Sequence, residues 1–152
     1  MVTSQFGAIL KEFETFFNCP LQPDENNSCL IHMGIGITIQ IELDRYGFIL
    51  IGCRLGAVHM GRYRDQLIRE ALKFNEAALP STGVFGFSLK SNQLILFLKL
   101  HPHSFSSHQV MILLPPFITK AKQWTEAIAK REVPALTSTS RKSPSGLFDL
   151  IS

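Results

Sequence analysis

Cysteine is scarce in this chain, and the few present are wrongly placed for a covalent or metal framework. Cys19, Cys29 and Cys53 are odd in number and share no C-x-x-C spacing, so neither a disulfide scaffold nor a zinc knuckle follows. Three reduced thiols packed in the interior are the expectation. Long apolar runs are also missing: no uninterrupted stretch approaches the ~20 residues that span a bilayer, so no membrane insertion is expected. At the amino end, Met1-Val2-Thr3-Ser4-Gln5 has no basic region and no long apolar core, which argues against a cleaved signal peptide and for a cytoplasmic protein. The chain contains no G-x-S-x-G elbow and no G-x-x-x-x-G-K-[ST] loop. Gly34-Ile35-Gly36 stands at a strand entrance without a following helix, so it is no dinucleotide fingerprint. His101, His103 and His108 lack a neighbouring cysteine or carboxylate to complete a metal site. Cys29 and His32 make a poor nucleophile pair, because a thiol inside an apolar strand stays protonated. The expectation is a protein without catalytic residues, metal or cofactor.

Charged residues make up 18% of the chain and the formal net charge is +3, but the distribution says more than the total. Residues 1–44 hold one Lys against six Asp and Glu, residues 45–69 five Arg against one Asp, and residues 70–131 seven basic against three acidic groups. A nucleic-acid surface calls for a dense basic stripe interleaved with aromatics. Here the basic residues are scattered among apolar positions, so nucleic acid is not an expected partner.

What the chain does have is apolar pattern. Hydrophobic residues account for 45% of 152, which excludes wholesale disorder, and one domain of this length buries roughly 70% of its unfolded surface. Ser4 is a candidate N-cap for a first helix, along which Phe6, Ile9, Leu10, Phe13 and Phe17 form a stripe widened by Phe16 and closed by Asn18-Cys19-Pro20. Residues 21–28 read as a loop. Strands are expected over 29–33, 35–43 and 48–55, the second alternating apolar with Thr38, Gln40 and Glu42, and the three forming an antiparallel meander. Residues 63–79 read as the helix around which the rest is organised, with Leu67, Ile68, Ala71, Leu72, Ala78 and Leu79 on one apolar stripe.

Pro80 and Gly83 break that helix, and a hairpin follows with strands over 84–89 and 94–100. The second of these is apolar on both faces: Leu94, Leu96, Leu98 and Leu100 point one way, Ile95 and Phe97 the other. Such a strand is either sandwiched by further structure or faces a partner. A last helix begins near Ser104 or Ser107. Pro115-Pro116 predicts two pieces or a sharp kink near Leu114, the second piece presenting Phe117, Ala121, Trp124 and Ile128. The fold class is therefore α+β, an antiparallel sheet packed by helices in the order α-β-β-β-α-β-β-α. Residues 1–131 form the domain and residues 132–152 a flexible tail ending in the apolar Leu147-Phe148-Asp149-Leu150-Ile151.

This succession resembles the class I type III secretion chaperones of the CesT (Tir chaperone) family over residues 4–131. The segment Leu67-Ile68-Arg69-Glu70-Ala71-Leu72-Lys73-Phe74-Asn75 looks like the family's leucine-rich second helix ending in Asn. Gly83, the hairpin over 84–100, and Phe117 with Trp124 match its small-residue turn, strand pair and closing helix. The resemblance implies a non-enzymatic homodimer of the bacterial cytoplasm. It would bind the amino-terminal region of secreted effectors in extended form and deliver it to the secretion apparatus, with the secretion-system ATPase as a further partner. By the same resemblance the dimer contact falls on Leu67, Leu72, Phe85 and Phe87, and the effector-binding surface on Phe6, Phe13, Phe16, Ile39, Phe48 and Leu50. The basic balance, the double proline and the long tail depart from the family pattern. Two other readings compete: a non-secretory α+β adaptor, and a small-ligand-binding protein with a pocket inside the sheet.

Overall fold

The structure, a computed structural model, describes residues 4–34, 36–77, 83–101 and 107–135. Its elements follow the expected order: α1 (Ser4–Phe17), β1 (Ser28–Met33), β2 (Ile37–Leu43), β3 (Ile49–Ala57), α2 (Arg62–Ala77), β4 (Val84–Ser88), β5 (Gln93–Leu100) and α3 (Ser107–Lys130). All five strands join one antiparallel sheet in the order β1-β2-β3-β5-β4, so β1 and β4 are its edges. Local chemistry sets the breaks. Helix α1 stops where Asn18 takes a left-handed conformation (φ 53°), as asparagine commonly does after a helix. The β2–β3 turn closes on Asp44, whose carboxylate accepts hydrogen bonds from the amides of Tyr46 (2.8 Å) and Phe48 (2.9 Å), with Gly47 at φ 88°.

Strand alternation sends one set of side chains to a common core. Cross-strand register aligns Ile31, Ile39, Cys53, Leu96 and Phe85 in one buried row and Cys29, Ile41, Ile51 and Leu98 in the next. Helix α3 packs on this face across β2 and β3, α1 packs on α3, and α2 packs on β4. Phe6, Phe13, Phe117 and Trp124 from the helices fill the space, each almost completely buried. Trp124 lies against Phe85 (ring centroids 4.3 Å) and Phe74 (5.3 Å), which joins α3, β4 and α2. Cys29 and Cys53 are buried and Cys19 is half-buried, all three as free thiols.

Two sequence expectations need correction. Helix α3 runs unbroken from Ser107 to Lys130 with both prolines inside it. A proline cannot donate to the carbonyl four residues back, here Met111 and Ile112. Those two residues and both prolines lie on the exposed side of the helix, where water can take the orphaned carbonyls, while Leu114, Phe117, Ala121 and Trp124 hold the other side to the sheet. In α2 the stripe is narrower than expected: Leu67 and Ala71 are buried, but Leu72 is 60% exposed. The expected end of that helix at 78–79, the break at Pro80 with residues 81–82, the Ile35 entrance, Ser104, His103 and the 136–152 portion of the tail lie outside the described residues, as do the side chains of Ser4 and His108.

Candidate functional site

The face of the sheet opposite α1 and α3 stays in contact with solvent. One cross-strand row there runs Leu30, Gln40, Gly52, Phe97, Val84. Leu30 is 58% and Phe97 38% exposed, high values for large apolar side chains in mid-strand. Gly52, in the central strand, has no side chain to fill the gap between Gln40 and Phe97. The result is a furrow of about 610 Å³ bordered by Leu30, Thr38, Gln40, Ile95, Arg54 and Asp24. Its lining mixes apolar Leu30, Ile95 and Gly52 with polar Ser28, Thr38 and Gln40, and Asp24 and Arg54 supply opposite charges.

Edge chemistry follows from one observation at the start of β1. The Ser28 amide donates to the Asp24 carboxylate (3.0 Å), and its carbonyl accepts from the Asp24 amide (2.9 Å). Both peptide groups of Ser28 therefore face away from β2. Antiparallel alternation then turns the peptide groups of Leu30 and His32 outward too. Carried strand by strand, the same alternation turns the peptide groups of Phe85 and Phe87 outward on β4. The two edges are treated differently. At β4, the Asn75 side chain donates from Nδ2 to the Phe85 carbonyl (2.9 Å) and accepts from the Phe85 amide at Oδ1 (2.7 Å). Across Leu30 and His32 no described residue does the same.

The residues nominated from sequence divide by burial. Phe6, Phe13 and Ile39 are sealed in the core of this subunit, at most 1% exposed, and offer a partner no surface. Phe16, Phe48 and Leu50 are partly exposed. Phe48 carries the Lys99 ammonium over its ring (4.3 Å) and His101 at its edge (5.3 Å). Leu50 pairs with Lys99 on the open face, whereas Phe16 sits on α1, away from that face. Of the nominated dimer residues, Leu67 and Phe85 are buried within the subunit, Leu72 is exposed, and Phe87 lies half-buried under the Arg64 guanidinium (4.3 Å). Leu30 and Phe97 were not nominated. For Phe97 the signal was present, since β5 is apolar on both faces; for Leu30, in a six-residue strand, none was.

The thiols add no chemistry here. Burial pushes Cys53 up to about 11, and burial, with Asp24 and Glu14 nearby, pushes Cys29 up as well, so both stay protonated at neutral pH. Among the described residues no three His, Cys, Asp or Glu side chains gather to hold a metal, and no helix is long and apolar enough to cross a membrane.

The sequence model of the Tir chaperone protein (CesT) family matches residues 8–125. The chain belongs to this family of chaperones. Among solved structures, the CesT-family fold seen here is shared with a chain of the ExsC-ExsE complex at TM-score 0.66 and 17% identity, covering 82% of this chain and 94% of that one. A chain of the HopA1-SchA chaperone-effector complex matches at TM-score 0.65 and 17% identity, covering 81% and 94%. The Yersinia pestis type III secretion chaperone SycH, in complex with a stable fragment of YscM2, matches at TM-score 0.61 and 15% identity, covering 77% and 97%. A search of curated protein sequences finds no match. At these identities the structural likeness speaks for the fold, and the family assignment rests on the sequence match.

Proposed function

We propose that this CesT-family chain is a type III secretion chaperone of the bacterial cytoplasm, without enzymatic activity. It holds the amino-terminal chaperone-binding region of one or more secreted effectors in extended form and delivers it to the secretion apparatus, whose ATPase is the receiving partner. The likeness of its fold to chains of the HopA1-SchA chaperone-effector complex and of the SycH complex with a YscM2 fragment supports this reading. The observation on this chain that carries it is the open edge of β1 beside a furrow onto which Leu30 is exposed.

An extended client segment adds a strand at Leu30 and His32, matching peptide groups that no described residue uses. Its alternate side chains fall on the furrow face beside Leu30, while Gly52, Leu50 and Phe97 lie further in across the sheet, open to parts of the client that cross that face. Each backbone hydrogen bond contributes about 0.5–1.5 kcal/mol net, and fully covering a leucine about 1.5–3 kcal/mol. One subunit thus holds a client weakly. A homodimer contacting through the exposed Leu72 and the half-buried Phe87, backed from inside by Leu67 and Phe85, presents two such surfaces to one chain and raises the effective concentration. Because the client stays non-globular, it needs no unfolding before export.

Co-expression with amino-terminal segments of secreted proteins should yield a soluble complex of two chaperones per client, and Leu30→Asp should abolish it while leaving the far-ultraviolet circular dichroism unchanged. Failure of every such segment to co-purify with the wild type would refute the proposal.

A further inference from the structure

We infer that Asn75 leaves the sheet with a single usable edge, so that a client strand joins β1 and not β4. This rests on the chaperone reading above and names the residue that directs the client. A five-residue edge strand, β4 turns only the peptide groups of Phe85 and Phe87 outward. An asparagine side chain carries one carbonyl acceptor and an amide donor, the same complement as a peptide unit. At Phe85 both are used, at 2.9 and 2.7 Å, within the range of strand-to-strand hydrogen bonds. Asn75 thus stands where the next strand's backbone would stand.

The rest of α2 keeps it there. Arg64 lies over the Phe87 ring and donates to Asn92 Oδ1 (3.3 Å) in the β4–β5 turn, pinning the start of α2 to the far end of β4 and leaving Phe87 as a single outward residue beside the capped Phe85, too short a stretch for a client strand. The Tyr63 hydroxyl reaches the Glu132 carbonyl (2.7 Å) and the Ala127 carbonyl (3.3 Å), tying the start of α2 to the end of α3. An unpaired edge is a template for another chain, and proteins blunt such edges with covering elements. Here one edge is covered by a helix with a side chain made to fit, and among the described residues the other has only Asp24, at its first residue. The asymmetry sets where a client enters.

The test uses the full-length chain as wild type, Asn75→Ala and the near-isosteric Asn75→Asp, whose carboxylate still accepts from the Phe85 amide but repels its carbonyl. In the wild type the Phe85 amide should exchange slowly although it lies on an edge, while the Leu30 and His32 amides exchange fast. In Asn75→Ala, Phe85 exchange should accelerate at least about tenfold, and light scattering should show concentration-dependent association beyond the wild-type state; Asn75→Asp should show the same association while melting as a folded protein. An amino-terminal secreted-protein segment that co-purifies with the wild type should protect the Leu30 and His32 amides. Bound to Asn75→Ala, it should protect the Phe85 and Phe87 amides as well. Unchanged association in both variants, or wild-type protection at Phe87 with none at Leu30, overturns the inference. A purely supporting role for Asn75 would lower the melting temperature without moving association or the protection pattern. If no segment co-purifies, the chaperone reading falls, and the exchange and association comparison still decides the role of Asn75.

Discussion

Trp124 is the side chain on which three elements meet, fully buried against Phe85 and Phe74. Its replacement by alanine should cost about 3–5 kcal/mol in urea unfolding followed by circular dichroism. Gly83 is constrained from two directions: its φ is +101°, and an added Cβ would stand 2.9 Å from Leu96 Cδ1 and 3.1 Å from Phe117 Cδ2. Next to it, the buried Lys120 donates to the Gly83 carbonyl (3.1 Å) with its ammonium 4.9 Å above the Phe85 ring, and burial lowers its pKa. Cys53 makes a pH prediction. Its folded pKa is raised from 9.0 to about 11, so the folded state keeps a proton that the unfolded chain releases. The stabilisation from this thiol is complete below pH 9 and is lost as pH rises through 11. Comparing wild type with Cys53→Ala, the stability difference should shrink by on the order of 2 kcal/mol between pH 9 and 11, as read from urea midpoints. No narrowing over that window would contradict the assignment.

Among the elements, α3 departs most from what its sequence implies. Two prolines imply two pieces or a sharp kink near Leu114; the helix is not in two pieces, and the local rule takes no account of the side of the helix on which they fall. They fall on the solvent side, and a core row from Leu114 through Phe117 to Trp124 overrides the local penalty. Replacing Pro115 and Pro116 together by alanine should therefore raise stability, by roughly 1–3 kcal/mol in chemical denaturation, with the helix geometry kept. The strands were legible almost to the residue, because alternation in β2 and the polar breaks at 44–47 and 90–92 are strong local signals. Helix α2 was legible as a helix but not in its facing: Ile68 and Leu72 fit a broad stripe, whereas the packing on β4 uses only Leu67 and Ala71 as its buried line.

The whole molecule is defined by what its helices leave uncovered. On the outside of α2 an exposed Leu72 stands beside the half-buried Ile68, the surface on which the proposed second subunit would pack. Light scattering should return twice the 17.1 kDa chain mass, and Leu72→Glu should shift it to a single chain without loss of secondary structure. A wild-type reading at one chain mass would remove the second subunit from the proposed mechanism.

Element order, α+β class and family were all legible in the sequence, because strand alternation, helical periodicity and the motif between Leu67 and Asn75 are local patterns that survive without coordinates. The site was legible only in part. Whether Phe6, Phe13 and Ile39 are surface or core depends on which elements stack over them, and every one of those partners lies far away along the chain. The same holds for the edges. Nothing in the local sequence of β1 or β4 says that one is open and the other closed; that follows from Asn75 reaching across ten residues to the Phe85 backbone, and only the packing of α2 against the sheet makes the reach possible.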